Sequence, residues 1–259
     1  MDLGIAGRKA IVCASSRGLG RACAEALAQA GCEVVVNGRS NDAVQATVAE
    51  IRQKTGATVT GVVADVADRA GQDALFAACP EPDILVNNNA GPPFRDFRVL
   101  TREQMLDGVI ANMVVAIELT QRAIDPMMRR KFGRIVNITS GTIKMPQAGL
   151  DLSSGARAGL TAFMAGVARA VAGSNVTINC LLPGAFDTDR LRASIDAHAK
   201  KQNVSYQEAA AQRIRTIPAA RFGTPAELGA TCAFLCSQQA SFITGQNILM
   251  DGGGFASTV

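Results

Sequence analysis

The sequence has no tryptophan, one tyrosine and one histidine among its 259 residues. The lone histidine, His198, cannot form a zinc site without several thiolate partners, and the spacing of the cysteines offers none. The seven cysteines are an odd number and include no Cys-x-x-Cys pair. They lie mostly within apolar runs, which predicts buried free thiols of the kind found in the reducing cytoplasm.

Long hydrophobic runs and a strong net charge are also missing. No run reaches the ~18 apolar residues of a membrane-spanning helix, and the N-terminus has no charged-then-apolar signal pattern. We therefore expect a soluble, cytoplasmic protein that does not enter a membrane. The net charge is only +4 and the basic residues are scattered, so we expect no nucleic-acid partner.

The chain does contain a regular alternation of short apolar runs, rich in branched residues, with longer segments of helical period. Strands separated by helices in this way predict a parallel sheet covered on both faces. The predicted fold class is therefore α/β, a single Rossmann-type, doubly wound domain over residues 1–259 with a seven-stranded sheet. The predicted strands are Ala10–Cys13, Glu33–Val36, Thr58–Val63, Ile84–Val86, Arg134–Ile138, Val176–Leu182 and Gln246–Met250.

Two helix starts are marked by the spacing of a capping box. Thr101 precedes Gln104, and Thr224 precedes Glu227 with Pro225 at the first helical position. In such a box the two side chains satisfy each other's backbone amides at the helix N-terminus.

Residues 187–218 form a long, charged, alanine-rich stretch near the end of the predicted sheet. We expect this stretch to add helices without adding a strand and to act as a substrate lid inserted in the domain. Its apolar residues Leu191, Ile195, Val204 and Tyr206 fit either a wall that faces substrate or packing within the lid.

A glycine-rich turn, C-A-S-S-R-G-L-G, follows the first strand and begins a helix. An ordinary tight turn between a strand and a helix can carry similar glycines. The pattern resembles the T-G-x-x-x-G-x-G turn of the short-chain dehydrogenase/reductase family, in which the backbone and the helix N-terminus bind a pyrophosphate. The residues predicted to bind a cofactor here are Ala14, Ser15, Ser16, Arg17, Gly18, Leu19 and Gly20.

The end of the second strand indicates which dinucleotide binds. In family members that prefer NAD, an acidic residue there accepts the ribose hydroxyls, whereas this chain has Asn37, Gly38 and Arg39. Arg39 and Arg17 can instead flank the 2′-phosphate of NADP, because guanidinium groups make charge-assisted contacts with phosphate. The resemblance therefore implies NADP(H) as the cofactor.

Further motifs of the family continue along the chain. An Ala-Asp-Val segment follows the third strand, where the family uses an aspartate to contact adenine, and P-G-x-x-x-T follows the sixth strand on the nicotinamide side. The fourth strand runs into N-N-N-A-G, which has one residue more than the family's N-N-A-G turn, so the contacts of this turn stay open. The additional cofactor-binding residues implied are Asp65, Val66, Asn88, Asn89, Ala90, Pro183, Gly184 and Thr188.

The family's catalytic residues are an Asn, a Ser, a Tyr and a Lys, of which the chain keeps the first two. Asn112 matches the Asn on the helix after the fourth strand, and Ser140 matches the Ser after the fifth. Ser153 stands at the tyrosine position and Arg157 at the lysine position, with the family's usual Ala-Gly-Leu following. The resemblance implies that these four form the catalytic site, with Arg157 also placed to hold the nicotinamide ribose.

The two exchanges alter the available proton chemistry. A phenol with a pKa of about 10 can donate a proton near neutrality when neighbouring cations lower that pKa, whereas a serine hydroxyl is a much weaker acid. Arg157 keeps the positive charge but does not release a proton. Either a water, Lys144 or Asp151 relays the proton, or the site serves a different substrate in the space that the tyrosine has vacated.

The resemblance covers essentially the whole chain and is strongest to the 3-oxoacyl-acyl-carrier-protein reductase branch. It implies a homotetramer and an NADPH-dependent oxidoreductase that acts on a carbonyl or alcohol, in a small-molecule or acyl-thioester substrate, at an atypical active site. The alternative is an NADP-binding pseudoenzyme or regulatory protein without hydride transfer. The sequence does not name the substrate.

Overall fold

The computed structural model describes residues 2–257, in which seven strands form one parallel sheet in the order β3-β2-β1-β4-β5-β6-β7. The order reverses direction between β1 and β4, which opens a crevice at the carboxyl ends of these two strands. The strands are β1 Lys9–Val12, β2 Glu33–Gly38, β3 Val59–Val63, β4 Ile84–Asn87, β5 Gly133–Ile138, β6 Val176–Pro183 and β7 Asn247–Met250.

Helices cover both faces of this sheet, and a buried apolar cluster lies on each side. One cluster packs α1, α2 and α9 on the strands, and the other packs α3, α5 and α6, which confirms the predicted doubly wound architecture. A π-helical segment, Ile110–Val114, joins α4 to α5. The helices are α1 Gly18–Gln29, α2 Asn41–Thr55, α3 Arg69–Ala78, α4 Arg102–Val109, α5 Val115–Arg129, α6 Asp151–Val171, α7 Asp189–Gln202, α8 Tyr206–Arg215 and α9 Pro225–Leu235.

Local signals in the sequence also match the structure. Thr101 Oγ1 accepts from the Gln104 amide at 3.3 Å while Gln104 Oε1 accepts from the Thr101 amide at 3.3 Å, so the predicted capping box is confirmed. At the start of α9 the Glu227 carboxylate accepts from the Thr224 amide at 2.7 Å. Within residues 2–257 no helix is long and apolar enough to cross a membrane.

All seven cysteines are buried and unpaired, as the sequence predicts. Burial raises the pKa of Cys13 and of Cys180 to about 12. These two thiols therefore stay protonated at neutral pH, and their role is to fill the core as small apolar groups.

The segment 187–218 contributes α7 and α8 and no strand, as predicted. The two helices enclose a small cluster of their own around Ile195, Ala199 and Ala209. Both ends of the segment are fixed to the domain, because Asp187 N donates to Gly223 O at 2.8 Å and Ala219 N, just past its end, donates to Gly252 O at 2.9 Å. Its function as a lid stays a prediction.

Arg134 on β5 is buried, with 1% of its surface exposed. Its guanidinium donates to Ser237 O at 3.2 Å, to Gly133 O at 2.8 Å and to Asn175 O at 2.9 Å, and it lies over the Phe132 ring. The side chain thereby joins the start of β5 to the turn before β6 and to the chain after α9. Burial lowers the pKa of Arg134 below that of an exposed arginine.

Candidate active site

The glycine-rich turn between β1 and α1 uses left-handed backbone at two positions. Ala14 has φ 44° and Gly18 has φ 59°. A left-handed alanine costs roughly 1 kcal/mol, and here the Ala14 amide donates to Asn37 Oδ1 at 3.0 Å, which holds the turn in place. A Cβ on Gly20 would lie 2.5 Å from Ala14 O, so glycine is required for α1 to pack this closely on the turn.

The predicted cofactor residues of this turn do not all face the crevice. Ser15 is fully buried, donates its hydroxyl to Val12 O at 2.6 Å and accepts from Asn37 N at 2.9 Å, so its side chain supports the turn. Arg17 is exposed and has no ion-pair partner within residues 2–257. It is the N-cap of α1 but makes no side-chain cap, and the first turn of that helix carries no acid. The amides at this helix end are therefore available to an anion.

Arg39 and Asp65 meet on the outer side of the crevice. The Arg39 guanidinium lies 3.4 Å from Asp65 Oδ2, and Arg39 is mostly exposed. Asp65 Oδ1 accepts from Ala67 N at 3.0 Å, which fixes the carboxylate. The structure thus brings together the two residues predicted to contact the adenosine end, while Val66 packs into the core behind them.

The N-N-N-A-G run places its three asparagines in different surroundings. Asn87 ends β4 inside the protein and donates to Asn137 Oδ1 at 2.9 Å. Asn88 Nδ2 donates to Ala14 O at 3.1 Å and so ties this turn to the glycine-rich turn. Asn89 Nδ2 donates to Ala111 O at 3.1 Å, on the π-helical segment.

The residues at the switch point fit a dinucleotide on structural grounds. The α1 N-terminus lacks a side-chain cap, and the turn before it is bent at Ala14 and Gly18. The exposed cations Arg17 and Arg39 follow the carboxyl ends of the neighbouring strands β1 and β2. The N-terminus of α7 also approaches, since a Cβ on Gly18 would lie 3.9 Å from Thr188 Cγ2. Amide donors and cations are the groups that phosphates prefer.

Ser140 lies just past β5 and is polarised by a residue that sequence reasoning missed. Its Oγ accepts from the Thr142 amide at 3.2 Å, and the Thr142 hydroxyl lies 2.9 Å from the same atom. With Thr142 donating through both groups, the Ser140 proton is free to point away towards a substrate oxygen. The two-residue spacing of a serine and a threonine after the strand is the only signal in the sequence.

Ser153 and Arg157 lie one turn apart on α6 and contact each other. Arg157 Nε donates to Ser153 Oγ at 3.2 Å, and Arg157 Nη1 donates to Ile138 O at 2.9 Å at the end of β5. Arg157 Nη2 lies 3.4 Å from Asn89 O. Burial lowers the pKa of Arg157 to about 10, with a smaller contribution from Arg190, so the guanidinium remains charged at neutral pH.

Asn112 lies in the π-helical segment, is buried, and lines the same cleft as Ser153. Its Nδ2 donates to Gly108 O at 3.0 Å. Its Oδ1 is buried and lacks a hydrogen-bond partner within the described chain, which leaves an acceptor for a bound molecule or a water. The cleft has a volume of 270 Å³ and includes Arg95 and Leu152 among its walls.

The two residues suggested as proton relays, Lys144 and Asp151, contact other parts of the protein and not Ser153. Lys144 is exposed, and its ammonium lies 5.9 Å from the centre of the Phe255 ring. Asp151 is also exposed, and its carboxylate accepts from Gly149 N at 3.0 Å at the start of α6. Neither contact brings an acid to Ser153.

Comparison with known proteins identifies the family. Residues 13–254 match the family model described as enoyl-(acyl carrier protein) reductase. The NADPH-dependent reductase BacG of Bacillus subtilis is 33% identical, over 96% of this chain and 98% of that protein. The 3-oxoacyl-[acyl-carrier-protein] reductase FabG of Aquifex aeolicus is 34% identical, over 98% of this chain and 100% of that protein.

Solved structures agree with these relatives. L-sorbose reductase from Gluconobacter frateurii, in complex with NADPH and L-sorbose, superposes with a TM-score of 0.93 at 27% identity, over 99% of this chain and 100% of that one. The matched residues span the glycine-rich turn, the asparagine-rich turn and α6. The chain therefore belongs to the short-chain dehydrogenase/reductase family.

Proposed function

We propose that this protein is an NADPH-dependent oxidoreductase that reduces a carbonyl group, in the manner of the 3-oxoacyl reductases. The observation that carries the proposal is the pair of Ser153 and Arg157, a hydroxyl on the wall of a cleft held by a buried cation. Such a pair is suited to stabilise negative charge that develops on a substrate oxygen. A small ketone or an acyl thioester is the proposed substrate.

NADP(H) is the proposed cofactor. Relatives described as NADPH-dependent and the neighbouring structure in complex with NADPH support this choice. Arg39 and Arg17 supply cations at the adenosine end, and no acidic side chain follows β2 at the place where one would select NAD. The proposed cofactor site comprises the turn residues 14–20, together with Arg39, Asp65, Val66, Asn88, Asn89, Ala90, Arg157, Pro183, Gly184 and Thr188.

The bound nicotinamide would supply the hydride, and this chain's residues would bind the substrate carbonyl oxygen and stabilise its negative charge. Ser140 and Ser153 donate hydrogen bonds to the substrate carbonyl oxygen as it gains negative charge. Arg157 keeps Ser153 in position through Nε and stabilises that charge by its own. Water is the proposed proton source, because within residues 2–257 neither Lys144 nor Asp151 contacts Ser153.

Substrate turnover and cofactor binding together test this function. We expect the purified protein to bind NADPH, followed through the fluorescence of the reduced nicotinamide, and to oxidise it in the presence of one or more β-ketoacyl thioesters or diketones. Tight binding of NADPH with no turnover on any compound of the panel would contradict the reductase and favour a nucleotide-binding pseudoenzyme.

Arg39→Gln is predicted to weaken NADPH binding about 10- to 100-fold while leaving NADH binding within about twofold, because only NADPH carries the 2′-phosphate. Calorimetric titration of both dinucleotides measures the difference. Arg52→Gln serves as a control that keeps the net charge equal, since Arg52 donates to Val59 O away from the crevice. An equal loss for NADPH and NADH would contradict the assignment of Arg39 to the 2′-phosphate.

Thr142→Val is predicted to lower kcat about 10-fold with little change in KM, because it removes the hydroxyl that orients Ser140 and keeps the backbone amide. Thr142→Ser retains that hydroxyl and is expected to restore most of the rate. Steady-state kinetics on the best substrate of the panel measures both variants. A kcat for Thr142→Val equal to that of the unaltered protein would show that the Thr142 hydroxyl has no role in catalysis.

Assembly, location and the lid belong to the same proposal. Exposed apolar side chains support a homotetramer, and light scattering in solution measures the assembled mass.

Seven unpaired thiols support a cytoplasmic location. The helices α7 and α8 are proposed to close over substrate. The exposed apolar side chains nearest one another in the chain are Met105, Leu106 and Val109 on α4 and Ile110 in the π-helical segment, with Phe163, Phe234 and Phe242 elsewhere.

A further inference from the structure

Arg190, in the first turn of α7, reaches from the lid across to the asparagine-rich turn. Its Nη1 lies 3.4 Å from Gly91 O and its Nη2 lies 3.4 Å from Pro92 O. A Cβ on Gly91 would lie only 3.0 Å from Arg190 Nη2, so glycine at this position leaves room for the guanidinium. The contacts are long for hydrogen bonds that involve a charged donor.

Arg190 also lacks a counter-charge. Within residues 2–257 no carboxylate lies within 4.0 Å of its guanidinium, although Asp187 and Asp189 are close in sequence. Those two acids face Arg192 instead, with Asp187 Oδ1 2.8 Å and Asp189 Oδ1 3.6 Å from its guanidinium. One turn of helix therefore holds one neutralised arginine and one that is free to bind an anion.

A second unpaired cation, Arg157, lies nearby inside the site. Arg157 is 8% exposed and contacts only carbonyl and hydroxyl oxygens. The positive charge of Arg190 contributes to the lowered pKa of Arg157, after the larger effect of burial. Both guanidinium groups approach carbonyl oxygens of the asparagine-rich turn, Asn89 O for Arg157 and Gly91 O for Arg190, each at 3.4 Å. Two cations on one turn with no carboxylate paired to either favour the binding of an anion.

The place of Arg190 relative to the crevice indicates which anion this is. The residue that caps its helix, Thr188, lies beside Gly18 in the glycine-rich turn. The uncapped N-terminus of α1 begins at that same turn. Arg190 thus links the N-terminus of α7 to the asparagine-rich turn, which Asn88 in turn ties to the glycine-rich turn. Arg39 instead follows Gly38, where a Cβ would lie 2.5 Å from Ser16 Oγ.

We propose that Arg190 is a binding residue for the diphosphate of the dinucleotide, so that the lid itself contributes a cation to the cofactor site. This inference rests on the proposed function. When the cofactor binds, the Arg190 guanidinium would exchange its long contacts with Gly91 O and Pro92 O for charge-assisted hydrogen bonds to phosphate oxygens. The bound cofactor then holds α7 against the glycine-rich turn.

Calorimetric titration of Arg190→Gln with two probes tests the proposal. NADPH carries both the diphosphate and the 2′-phosphate, whereas adenosine 2′-monophosphate carries only the second. We expect Arg190→Gln to weaken NADPH binding about 10- to 100-fold and to leave adenosine 2′-monophosphate within about twofold. Arg39→Gln should weaken both probes, and Arg190→Lys should weaken NADPH less than Arg190→Gln does.

Arg192→Gln is the matched control. It removes the same charge two residues further along α7, from a guanidinium that Asp187 already neutralises. It should bind both probes as the unaltered protein does. NADPH binding by Arg190→Gln at unaltered affinity would overturn the proposal, as would an equal loss of affinity for NADPH and for adenosine 2′-monophosphate. Failure of the unaltered protein to bind NADPH would instead overturn the proposed function, and the inference with it.

Discussion

Ser153→Ala is expected to lower kcat about 10²- to 10³-fold, the usual effect of removing one donor to a developing oxyanion. The hydroxyl lies on the wall of the cleft and is held by Arg157 Nε at 3.2 Å, so its position is fixed before substrate binds. The loss should appear in kcat more than in KM, because the interaction strengthens as the oxygen gains charge. Steady-state kinetics with NADPH and the best carbonyl substrate measures it.

The next residue supplies the control. Ser154 is buried to the same extent, at 6% exposed for each, but its hydroxyl donates to Leu150 O at 3.0 Å within the helix. Ser154→Ala should therefore leave kcat within about twofold. Equal rates for Ser153→Ala and the unaltered protein would show that the hydroxyl takes no part in the chemistry.

The paired exchange of Ser153→Tyr with Arg157→Lys separates two views of this site. If a proton donor is all that the site lacks, the pair should raise turnover about 10²- to 10⁴-fold. If the cleft is shaped for a substrate that uses the vacated space, the tyrosine will block it and turnover will fall. Arg157→Lys by itself distinguishes charge from geometry, because lysine keeps the charge but cannot hold Ser153, Ile138 O and Asn89 O in one fixed plane.

Arg134→Met is expected to lower the free energy of unfolding by about 3–5 kcal/mol. The substitution keeps much of the side-chain volume but removes the guanidinium donor from the buried carbonyl groups of Ser237 and Gly133. The carbonyl group of Asn175 also loses this donor and keeps the Gly133 amide at 3.2 Å. Each unsatisfied buried acceptor costs about 1–3 kcal/mol, partly offset because a buried charge is also removed. Urea unfolding followed by far-ultraviolet circular dichroism measures the change.

Arg129→Met is the matched control for this experiment. Arg129 is 65% exposed and pairs with Glu81 on the surface, where an ion pair contributes about 0–1 kcal/mol. The two variants lose the same charge and gain the same side chain. Equal destabilisation by both would mean that the buried contacts of Arg134 contribute little.

The order of strands and helices could be predicted because each strand of a buried parallel sheet forms a continuous apolar run. The predicted ends of the strands are least accurate where a strand continues through buried polar side chains. The second strand was expected to end at Val36, yet it continues through Asn37 and Gly38, since Asn37 is 1% exposed and its side-chain amide donates to Val62 O and Ala64 O. A buried asparagine gives no strand signal in a sequence.

The candidate site could be predicted as far as motif spacing reaches. The spacing places Ser153 and Arg157 one helical turn apart, and the structure joins them directly. The sequence does not indicate the contacts of Thr142 and Arg190, because these depend on how a loop and the segment 187–218 pack against the strand ends. For the same reason the sequence could not place Lys144 against Phe255.

The single tyrosine makes the segment 187–218 optically distinct from the rest of the molecule. Tyr206 is 38% exposed at the start of α8, and the chain has no tryptophan. Near-ultraviolet emission from tyrosine therefore reports on this segment alone, without any labelling. The emission of bound NADPH is likewise free of energy transfer from indole. A single fluorescence experiment can thus follow the segment 187–218 and the reduced nicotinamide at separate wavelengths and show which signal changes first.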